Sequence, residues 1–449
     1  MNTDILKQFK EPVFYITNDV ERAIGLESLL PNYHLVCLDD HPLIDYLMET
    51  GVSVFCLERV LAKKNLLFRT SATVLAHPLT LSFIKEKAKG RKPRILFFKP
   101  QKKLEILAQR HGFKLLGNKA EVNRLFEDKV SFFKLCLKEK IKVLPGEVLK
   151  LSQADFGLLS QKYGLPFVIQ FGRGWAGSST FFIESPTEFK NLQEKFGQFK
   201  VRVSRFIKGK TVLNNAVIVK NQILLSSPAL QIKANLPLAP HLGATAGRQW
   251  PAGLSFGQIK EINKISSQVG RIMARQGYQG FFGLDFLIED KGGEIYLSEN
   301  NARLTASVPF YTQLELKAGI FPLLGYHLLA FENEFCLPTP SYLAPELKGS
   351  EIVVRNCQPS PVKILKTLAP GIYSPKLEFK KESYFLETES QSLFWLKAAA
   401  QGRVVNPEIE LFKINTWAEV CEKDGQLKKE YQQLSKRILE KIVWEKCKT

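Results

Sequence analysis

The chain has 449 residues, of which 45% are hydrophobic and 24% charged, and 63 Lys and Arg residues against 44 Asp and Glu residues give a net charge of +19. The length predicts about three domains. The ordinary globular composition excludes a chain that is disordered over most of its length. No stretch reaches the roughly 18 uninterrupted apolar residues of a transmembrane helix, so we expect no membrane span.

The seven cysteines and six histidines are scattered along the chain. No C-x-x-C, H-x-x-H or H-E-x-x-H spacing occurs, so the sequence predicts neither a zinc site nor a disulfide framework. Scattered free cysteines are typical of a reducing compartment, and we expect the protein in the cytoplasm. Any metal would have to bind through oxygen ligands.

The positive charge is concentrated in one stretch, residues 84–103, which holds nine basic residues and one acidic residue. A stretch of this kind either binds nucleic acid or forms a solvated helix and loop. No aromatic RNA-binding motif and no zinc-finger pattern accompanies it, so a solvated surface is favoured and nucleic acid is not an expected partner.

The N-terminal part alternates between short apolar runs and helical segments. Strands are predicted over residues 12–17, 34–38, 52–56 and 94–98. Asn18 and Asp19 are candidate caps for a helix over residues 20–30. The alternation predicts an open α/β layer over about the first 115 residues. The first strand is not followed by a glycine fingerprint, which argues against a dinucleotide site there.

The middle and C-terminal parts carry longer elements, set out in chain order. Helices are predicted over residues 117–140, 258–275 and 312–330. Strands are predicted over residues 165–171, 181–185, 201–207, 211–227 (two strands joined near Lys220 and Asn221), 281–288 and 294–297. Pro338, Pro340 and Pro345 mark a linker, and a smaller mixed region ends in a charged helix over residues 426–446.

A glycine-rich segment follows the strand over 165–171. Gly172, Gly174 and Gly177 match G-x-G-x-x-G, but a β-rich segment comes next instead of the helix that a dinucleotide site requires. The strand–loop–strand context predicts a hairpin flap whose backbone N–H groups cover phosphates. The alternative is a glycine-rich turn that binds nothing. The run ending in Gly209-Lys210-Thr211 is not a P-loop, because its first glycine is replaced and a strand follows.

Polar side chains cluster around the predicted hairpin over residues 281–297. Asp285 lies near the end of one strand, and Glu299, Asn301 and Arg303 follow the next at intervals of two. Side chains two apart in an extended strand share one face. Carboxylate and amide oxygens are the ligands that Mg²⁺ prefers, and an arginine beside them could stabilise a phosphoryl group. The alternative is a strand end with solvated polar residues.

Taken together, Asp128-Lys129, the run LPFVIQFGRGWAGSS and the runs GLDFLI and IYLSENNARLTAS resemble the ATP-grasp superfamily, in an arrangement similar to biotin carboxylase. The resemblance covers roughly residues 116–330. It implies an α/β fold with an N-terminal pre-ATP-grasp domain (1–117), an ATP-grasp domain (118–330) and a small mixed C-terminal domain (331–449). The ATP-grasp domain would divide into a lysine and glycine-flap subdomain (118–205) and a Mg²⁺-binding subdomain (206–330).

The resemblance also implies roles for individual residues. Phosphates of ATP would be bound by Lys129 and by the flap, which holds Gly174, Gly177, Ser178 and Ser179. The hinge strand would place Arg205, Phe206 and Ile207 against adenine. Mg²⁺, with Mn²⁺ as an alternative, would be held by Asp285, Glu299 and Asn301. Arg303 matches the arginine near the transferred phosphate and is the candidate catalytic residue. Gln231 and Lys233 match substrate-facing positions only weakly.

Two positions depart from the family pattern. Gln170 stands where the family has a second phosphate-binding lysine, and Ser204 stands where it has a glutamate near the adenine amino group. Glutamine donates hydrogen bonds to phosphate but supplies no charge. Either nucleotide affinity is reduced, or basic residues such as Lys208, Lys210 and Arg248 compensate.

The function implied by the resemblance is that of an ATP-dependent carboxylate–amine ligase. ATP would convert a substrate carboxylate into an acyl-phosphate, and an amine, for example of an amino acid, would attack it to form an amide. Two alternatives remain open: a biotin-carboxylase-like enzyme that activates bicarbonate, and a nucleotide-binding protein without turnover. The expected partners are ATP, a small carboxylate and an amine. No membrane partner is expected, and a homodimer is left open.

Overall fold

The structure is a computed structural model that describes residues 4–67, 69–172, 180–241, 244–332, 337–338 and 346–447. The candidate flap residues Gly174, Gly177, Ser178 and Ser179 therefore lie outside the described residues. The same holds for Pro340 and Pro345 of the predicted linker.

The N-terminal part is a parallel sheet in the order β3-β2-β1-β4-β5 with helices around it. Its strands are β1 (Val13–Ile16), β2 (Tyr33–Cys37), β3 (Ser53–Cys56), β4 (Arg94–Phe97) and β5 (Lys114–Leu115). Its helices are α1 (Asp4–Lys7), α2 (Leu43–Glu49), α3 (Leu57–Val60), α4 (Ser71–Ala76), α5 (Pro78–Ala88) and α6 (Lys102–His111). The predicted open α/β layer and its strands are confirmed.

The helix predicted over residues 20–30 is wrong. Asp19 does cap a turn, because its side chain accepts a hydrogen bond from Glu21 N at 3.1 Å. The turn is a short 3-10 segment, Val20–Ala23, and the backbone then becomes extended at Ile24. Gly25 follows with φ of 137°, outside the helical region, so the helix cannot continue.

A separate antiparallel sheet, the flap-side sheet, runs in the order β6-β9-β7-β8. Its strands are β6 (Gly146–Lys150), β7 (Phe167–Phe171), β8 (Thr180–Ile183) and β9 (Lys200–Arg205), and the helices of this part are α7 (Ala120–Glu127), α8 (Lys129–Lys138), α9 (Phe156–Tyr163) and α10 (Pro186–Phe196). The helix predicted over 117–140 is divided at Asp128, whose side chain caps α8 by accepting from Ser131 N at 2.8 Å.

The remaining strands form a large central sheet and a small C-terminal sheet. They are β10 (Gly209–Val219), β11 (Gln222–Leu225), β12 (Ala229–Gln231), β13 (Gly247–Trp250), β14 (Gly280–Glu289), β15 (Ile295–Asn301), β16 (Gly349–Arg355), β17 (Val362–Lys366), β18 (Gly371–Tyr373), β19 (Phe379–Lys381), β20 (Phe394–Ala398), β21 (Val404–Val405), β22 (Glu410–Thr416) and β23 (Val443–Lys446). The central sheet runs β15-β14-β10-β12-β13-β16-β22-β20-β18-β19, with β11 on β10, and the C-terminal sheet runs β21-β17-β23.

The helices of this part are α11 (Phe256–Arg275), α12 (Val308–Lys317), α13 (Leu323–Ala330) and α14 (Lys429–Lys441). The helix predicted over 258–275 is confirmed. The helix predicted over 312–330 is divided, because Gly319 has φ of 74° and Pro322 precedes α13. The predicted charged C-terminal helix ends at Lys441, and β23 follows it. No helix in the described part of the chain is long and apolar enough to cross a membrane.

The central sheet does not stop at the expected C-terminal boundary. Its strand β13 pairs with β16, so the sheet continues from the 206–330 segment into the 331–449 segment. The flap-side sheet instead has a hydrophobic core of its own, formed by residues such as Leu151, Phe167, Ile169, Phe189 and Val203.

Candidate functional site

Asp285 and Glu299 face each other across the antiparallel pair β14 and β15. Gly283 faces Asn301 in the same pair, and the register shifts between Asp285 and Phe286. Because directly opposite side chains lie on one face of a sheet, the predicted carboxylates and amide are brought to one place. The side chains of Asp285 and Glu299 are joined by a hydrogen bond.

The two carboxyl groups have opposite pKa shifts. Burial and the neighbouring Glu299 raise the pKa of Asp285 well above its usual value. Burial alone would raise the pKa of Glu299 as well, but Lys129 and the hydrogen bond to Asp285 hold it below its usual value. The proton of the pair therefore resides on Asp285, and like charges at close range are avoided.

Lys129 is the cation of this cluster. Its Nζ lies 2.6 Å from Glu299 Oε2, and its side chain is largely buried. It is the first residue of α8, and its backbone N donates to Gly172 O at 2.9 Å. A side chain at Gly172 would overlap the Asp128 carboxylate. The Asp128-Lys129 pair thus joins the start of α8 to the start of the glycine-rich segment and directs the lysine to the carboxylates.

Arg303 holds Asn301 in position. Its Nη2 donates to Asn301 Oδ1 at 2.8 Å, and its Nε donates to Glu127 Oε1 at 2.8 Å. Burial alone would raise the pKa of Glu127, but Arg303 and Lys99 hold it below its usual value. One carboxylate therefore fixes the guanidinium beside the Asp285–Glu299 pair.

Arg22 is a neighbour of this site that the sequence analysis did not identify. The guanidinium groups of Arg22 and Arg303 each lie 5.0 Å from the centre of the Phe98 ring. Within the described residues, the buried Nη1 of Arg22 has no hydrogen-bond partner. Arg22 follows β1 and Phe98 follows β4, two adjacent parallel strands at the point where the strand order reverses. Ligands commonly bind where the strand order of such a sheet reverses, so the position of Arg22 after β1 could have identified it as a candidate.

The hinge residues lie between the flap-side sheet and β14. Arg205 ends β9 and forms an ion pair of 3.5 Å with Glu289. Phe206 is partly exposed and packs edge-to-face on Phe182 at 5.8 Å. Ile207 is buried. A flat apolar ligand could contact Phe206 and Ile207 here.

The positions that depart from the family pattern lie on the same sheet. Gln170 on β7 lies directly opposite Arg202 on β9, and its Nε2 donates to Thr180 Oγ1 at 3.1 Å. Arg202 is buried and was also missed from the sequence. The sequence could have pointed to Arg202, because it lies two residues before Ser204 and side chains two apart in a strand share one face of the sheet.

The remaining basic candidates differ in their surroundings. Lys233, the weak match to a substrate-facing position, forms an ion pair of 2.8 Å with Asp424. Burial lowers the pKa of Lys210. Arg248 forms a buried ion pair of 2.8 Å with Glu351 and is near enough to Asp285 to oppose the rise in its pKa. Arg248 therefore borders the carboxylate pair from the side of the central sheet.

A comparison with models of known protein families finds no match, and a comparison with curated proteins finds none either. Solved structures do match. Biotin carboxylase from Campylobacter jejuni, solved with β,γ-ATP, superposes with a TM-score of 0.63 over 98% of this chain and 93% of its own, at 18% identity. The biotin carboxylase domain of 2-oxoglutarate carboxylase from Hydrogenobacter thermophilus was solved with MgADP, ADP and bicarbonate. It superposes with a TM-score of 0.62 over 98% of this chain and 91% of its own, at 14% identity.

Phosphoribosylamine–glycine ligase from Thermotoga maritima gives a TM-score of 0.57 over 97% of this chain and 98% of its own, at 16% identity. These are ATP-grasp enzymes. The chain has the ATP-grasp fold. The expected fold class is therefore confirmed, and the likeness extends over nearly the whole chain, including the N-terminal and C-terminal parts that the sequence resemblance did not cover. At these identities the ATP-grasp likeness establishes the fold alone.

The donor set of the candidate site fits a divalent cation. Asp285 and Glu299 provide two carboxylates, and Asn301 provides an amide oxygen with one lone pair free beside Arg303. Within the described residues, His, Cys, Asp and Glu nowhere form a group of three that could hold a metal ion. Mg²⁺ accepts few protein ligands when phosphate oxygens and water complete its octahedron, so the set is sufficient.

Proposed function

We propose that this chain is an ATP-dependent ligase that activates a carboxylate by phosphorylation and joins it to an amine. The observation that carries the proposal is the cluster of Asp285, Glu299 and Lys129, in which two carboxylates and a lysine meet between the flap-side sheet and the central sheet. Solved structures of this fold contain ATP-type nucleotides, MgADP or bicarbonate, and one neighbour is named a glycine ligase.

In the proposed site, Asp285, Glu299 and Asn301 hold Mg²⁺, for which Mn²⁺ is a chemical substitute. The bound ion supplies positive charge to the phosphate oxygens. Lys129 contacts phosphate and exchanges part of its attraction to Glu299 for that contact. Arg303 donates to Glu127, to Asn301 and, through Nη1, to the Leu304 carbonyl, and its remaining N–H groups can face the transferred phosphoryl group.

The nucleotide is proposed to lie along the flap-side sheet. Arg205, Phe206 and Ile207 would contact adenine, and Gln170 would face the phosphates. The flap assignment of Gly174, Gly177, Ser178 and Ser179 stays a prediction, because these residues lie outside the described part of the chain. Glycine at this place would allow the backbone to approach the phosphates closely.

The reaction has two steps. A carboxylate oxygen attacks the γ-phosphorus of ATP, the bond from that phosphorus to the β-phosphate oxygen breaks, and acyl-phosphate and ADP form. The amine nitrogen then attacks the acyl carbon, the C–O bond to phosphate breaks, and the amide, inorganic phosphate and a proton are released. The protein contributes position and charge, which are the main sources of catalysis in phosphoryl transfer.

The acidic substrate is proposed to enter beside Phe98. Arg22 and Arg303 both border this ring, and one N–H of Arg22 has no hydrogen-bond partner among the described residues. A carboxylate there would face the strands proposed to bind the metal. Substrate recognition would then lie partly in the N-terminal domain (1–117).

We also propose the domain boundaries near residues 117, 205 and 330. We also propose a cytoplasmic location and leave dimer formation to measurement.

The second candidate is a bicarbonate-activating enzyme. It is favoured by the likeness to biotin carboxylase, one structure of which holds bicarbonate. The third is a nucleotide-binding protein without turnover, which the loss of a lysine at Gln170 favours. The retained cluster of Lys129, Asp285, Glu299 and Arg303 favours the ligase.

The test is ADP release with pooled amino acids and small carboxylates, comparing wild type with Glu299→Ala. Glu294→Ala is the matched control, because Glu294 is exposed on the same hairpin and pairs with Lys142 away from the site. The ligase proposal expects substrate-dependent ADP release that Glu299→Ala abolishes and Glu294→Ala preserves. Silence of the wild type with all substrates would contradict it. ADP release that requires bicarbonate and free biotin would establish the second candidate.

A further inference from the structure

Arg202 is a buried cation on the face of the flap-side sheet that packs against α8. It lies on β9 directly opposite Gln170 on β7, whereas its neighbours Val201 and Val203 point into the core of that sheet. Its side chain is on the other face, where its guanidinium lies 4.7 Å from the Phe133 ring of α8 and its Nη1 donates to Ser298 O at 2.8 Å. Ser298 immediately precedes Glu299, so the guanidinium reaches the edge of the carboxylate cluster.

The charge of Arg202 is incompletely satisfied. The residue is only 2% exposed, and its Nε and Nη2 have no hydrogen-bond partner in the part of the chain that the structure describes. Burial lowers its pKa to about 10, and the attraction of Glu299 only partly opposes this. A buried guanidinium without a paired anion is costly, because buried charges in proteins are normally paired.

A second polar group on the same face is also unsatisfied. Ser204 lies two residues along β9, opposite Val168, and its buried hydroxyl has no partner among the described residues. Together, Arg202 and Ser204 present donors without partners on one face of one strand. Arg202 also lies opposite Gln170, the position where the family resemblance implies a lysine. A polar, anionic ligand satisfies both residues.

We infer that Arg202 binds the phosphates of the nucleotide and supplies the positive charge that Gln170 lacks. The inference rests on the proposed ATP-binding function. Opposite residues in an antiparallel pair have Cβ atoms about 4.5–5.5 Å apart, so a long side chain from either position reaches the same volume. A guanidinium also binds phosphate through two parallel N–H groups, whereas an amide supplies no charge.

This assignment explains how the site tolerates Gln170. Lys129 approaches Glu299 from α8 and Arg202 approaches it from β9, so two cations from different elements flank one carboxylate. The compensation comes from the strand opposite Gln170. It does not require the residues considered from sequence, Lys208, Lys210 and Arg248.

The test is calorimetric binding of Mg·ATP, Mg·ADP and adenosine to wild type, Arg202→Gln and the double variant Gln170→Lys/Arg202→Gln. Lys200→Gln is the matched control, since Lys200 is an exposed residue of the same strand and the substitution removes the same charge. We expect Arg202→Gln to weaken ATP and ADP binding by roughly tenfold to a hundredfold, the range of a charged hydrogen bond, and to leave adenosine binding unchanged. The double variant should recover most of the loss, and the control should bind like wild type.

The outcomes separate this inference from the function on which it rests. Wild type that binds neither ATP nor ADP overturns the proposed function and the inference with it. Wild type that binds ATP while folded Arg202→Gln keeps full affinity overturns the inference alone. Equal weakening of adenosine and ATP, with a lower Tm, would show that Arg202 only tethers β9 to Ser298. If Arg202→Gln does not fold, the double variant decides, because it restores a cation on the opposite strand and must bind ATP if the inference is correct.

Discussion

Asp285 lies directly opposite Glu299 in the β14–β15 pair, where burial and Glu299 raise the pKa of Asp285 and Lys129 holds the pKa of Glu299 below its usual value. Two carboxyl groups held this close are an arrangement suited to cation binding, because a cation favours ionisation of both groups. The pair is less suited to stability, since burial opposes ionisation of both groups.

The substitution Asp285→Asn should therefore separate stability from ligand binding. The amide can still donate to Glu299, so we expect the unliganded variant to have a Tm equal to or above that of wild type. A ligand at one hundred times its Kd stabilises a protein by about 2.7 kcal/mol, and the variant should lose most of the stabilisation by Mg·ATP. Thermal unfolding with and without Mg·ATP measures both effects. Asp290→Asn, at the exposed end of the same hairpin, is the control, and an undiminished Mg·ATP shift in Asp285→Asn would contradict the prediction.

Arg303 should be needed for turnover more than for nucleotide binding. Its guanidinium bonds Glu127 and Asn301 at the same time, and the single ammonium of Arg303→Lys cannot reproduce this geometry and also face a phosphate. We expect kcat to fall by about 10²-fold or more with little change in the Kd for ATP. Single-turnover ADP formation and calorimetry give the two quantities. Arg275→Lys, which affects an exposed ion pair with Glu139, is the control; an unchanged kcat in Arg303→Lys would remove Arg303 from the catalytic assignment.

Glu21 should be a major contact between the N-terminal and C-terminal parts. It accepts from Lys413 at 2.7 Å and from Lys397 at 2.9 Å, and all three side chains are buried. Glu21→Gln leaves two buried ammonium groups with less counter-charge, so we expect a loss of about 3–5 kcal/mol at pH 7. Urea unfolding measures it. Glu389→Gln breaks an exposed ion pair with Lys317 and should cost about 1 kcal/mol or less.

The same contact predicts an acid dependence. Burial alone would raise the pKa of Glu21, but Lys413 and Lys397 lower it to about 2. Because the folded pKa lies below the unfolded value of about 4.3, the stabilisation is complete above that value and is lost as the pH falls towards 2. The difference in free energy of unfolding between wild type and Glu21→Gln should therefore shrink as the pH falls from about 4.3 towards 2. A constant difference in free energy of unfolding between wild type and Glu21→Gln from pH 7 to pH 2.5 would contradict the assignment.

His327 predicts a dependence at higher pH. Its Nδ1 accepts from Phe281 N at 2.9 Å, which requires an unprotonated nitrogen, and burial lowers its pKa to about 4. The pKa of His327 in the folded protein lies below its unfolded value of about 6.5. Its contribution to the free energy of unfolding is therefore complete above pH 6.5 and decreases towards pH 4 by about 1.4 kcal/mol per pH unit. Urea unfolding at pH 7 and pH 5 should show a smaller pH effect in His327→Gln than in wild type. Exposed His111→Gln is the control, and equal pH effects in wild type and His327→Gln would contradict the prediction.

The sequence alone was sufficient for features that depend on neighbours along the chain. The period of two placed Glu299 and Asn301 on one strand, but the strand ends at Asn301, and a tight turn, in which Arg303 N donates to Asn301 O at 2.8 Å, brings Arg303 to the site. The β-rich residues after Gly172 excluded a dinucleotide loop, and the turn at Lys220 and Asn221 was placed correctly, where both residues have positive φ. Helix lengths were less well determined. Breaks at Asp128 and Gly319 depend on a cap and on backbone conformation that apolar periodicity does not reveal.

The tertiary structure decided which distant residues meet. Arg202 and Gln170 are neighbours only through the β7–β9 register. Arg22 meets Phe98 because β1 and β4 are adjacent, and Arg303 reaches the same ring from the end of β15. The continuation of the central sheet through β13 and β16 likewise depends on a pairing across about a hundred residues. The physical reason is that side-chain period is a local property of the backbone, whereas register and burial are set by packing of the whole chain. The sequence therefore determined the candidate metal-binding motif and the expectation of the ATP-grasp fold, and the tertiary structure determined which cations surround that motif.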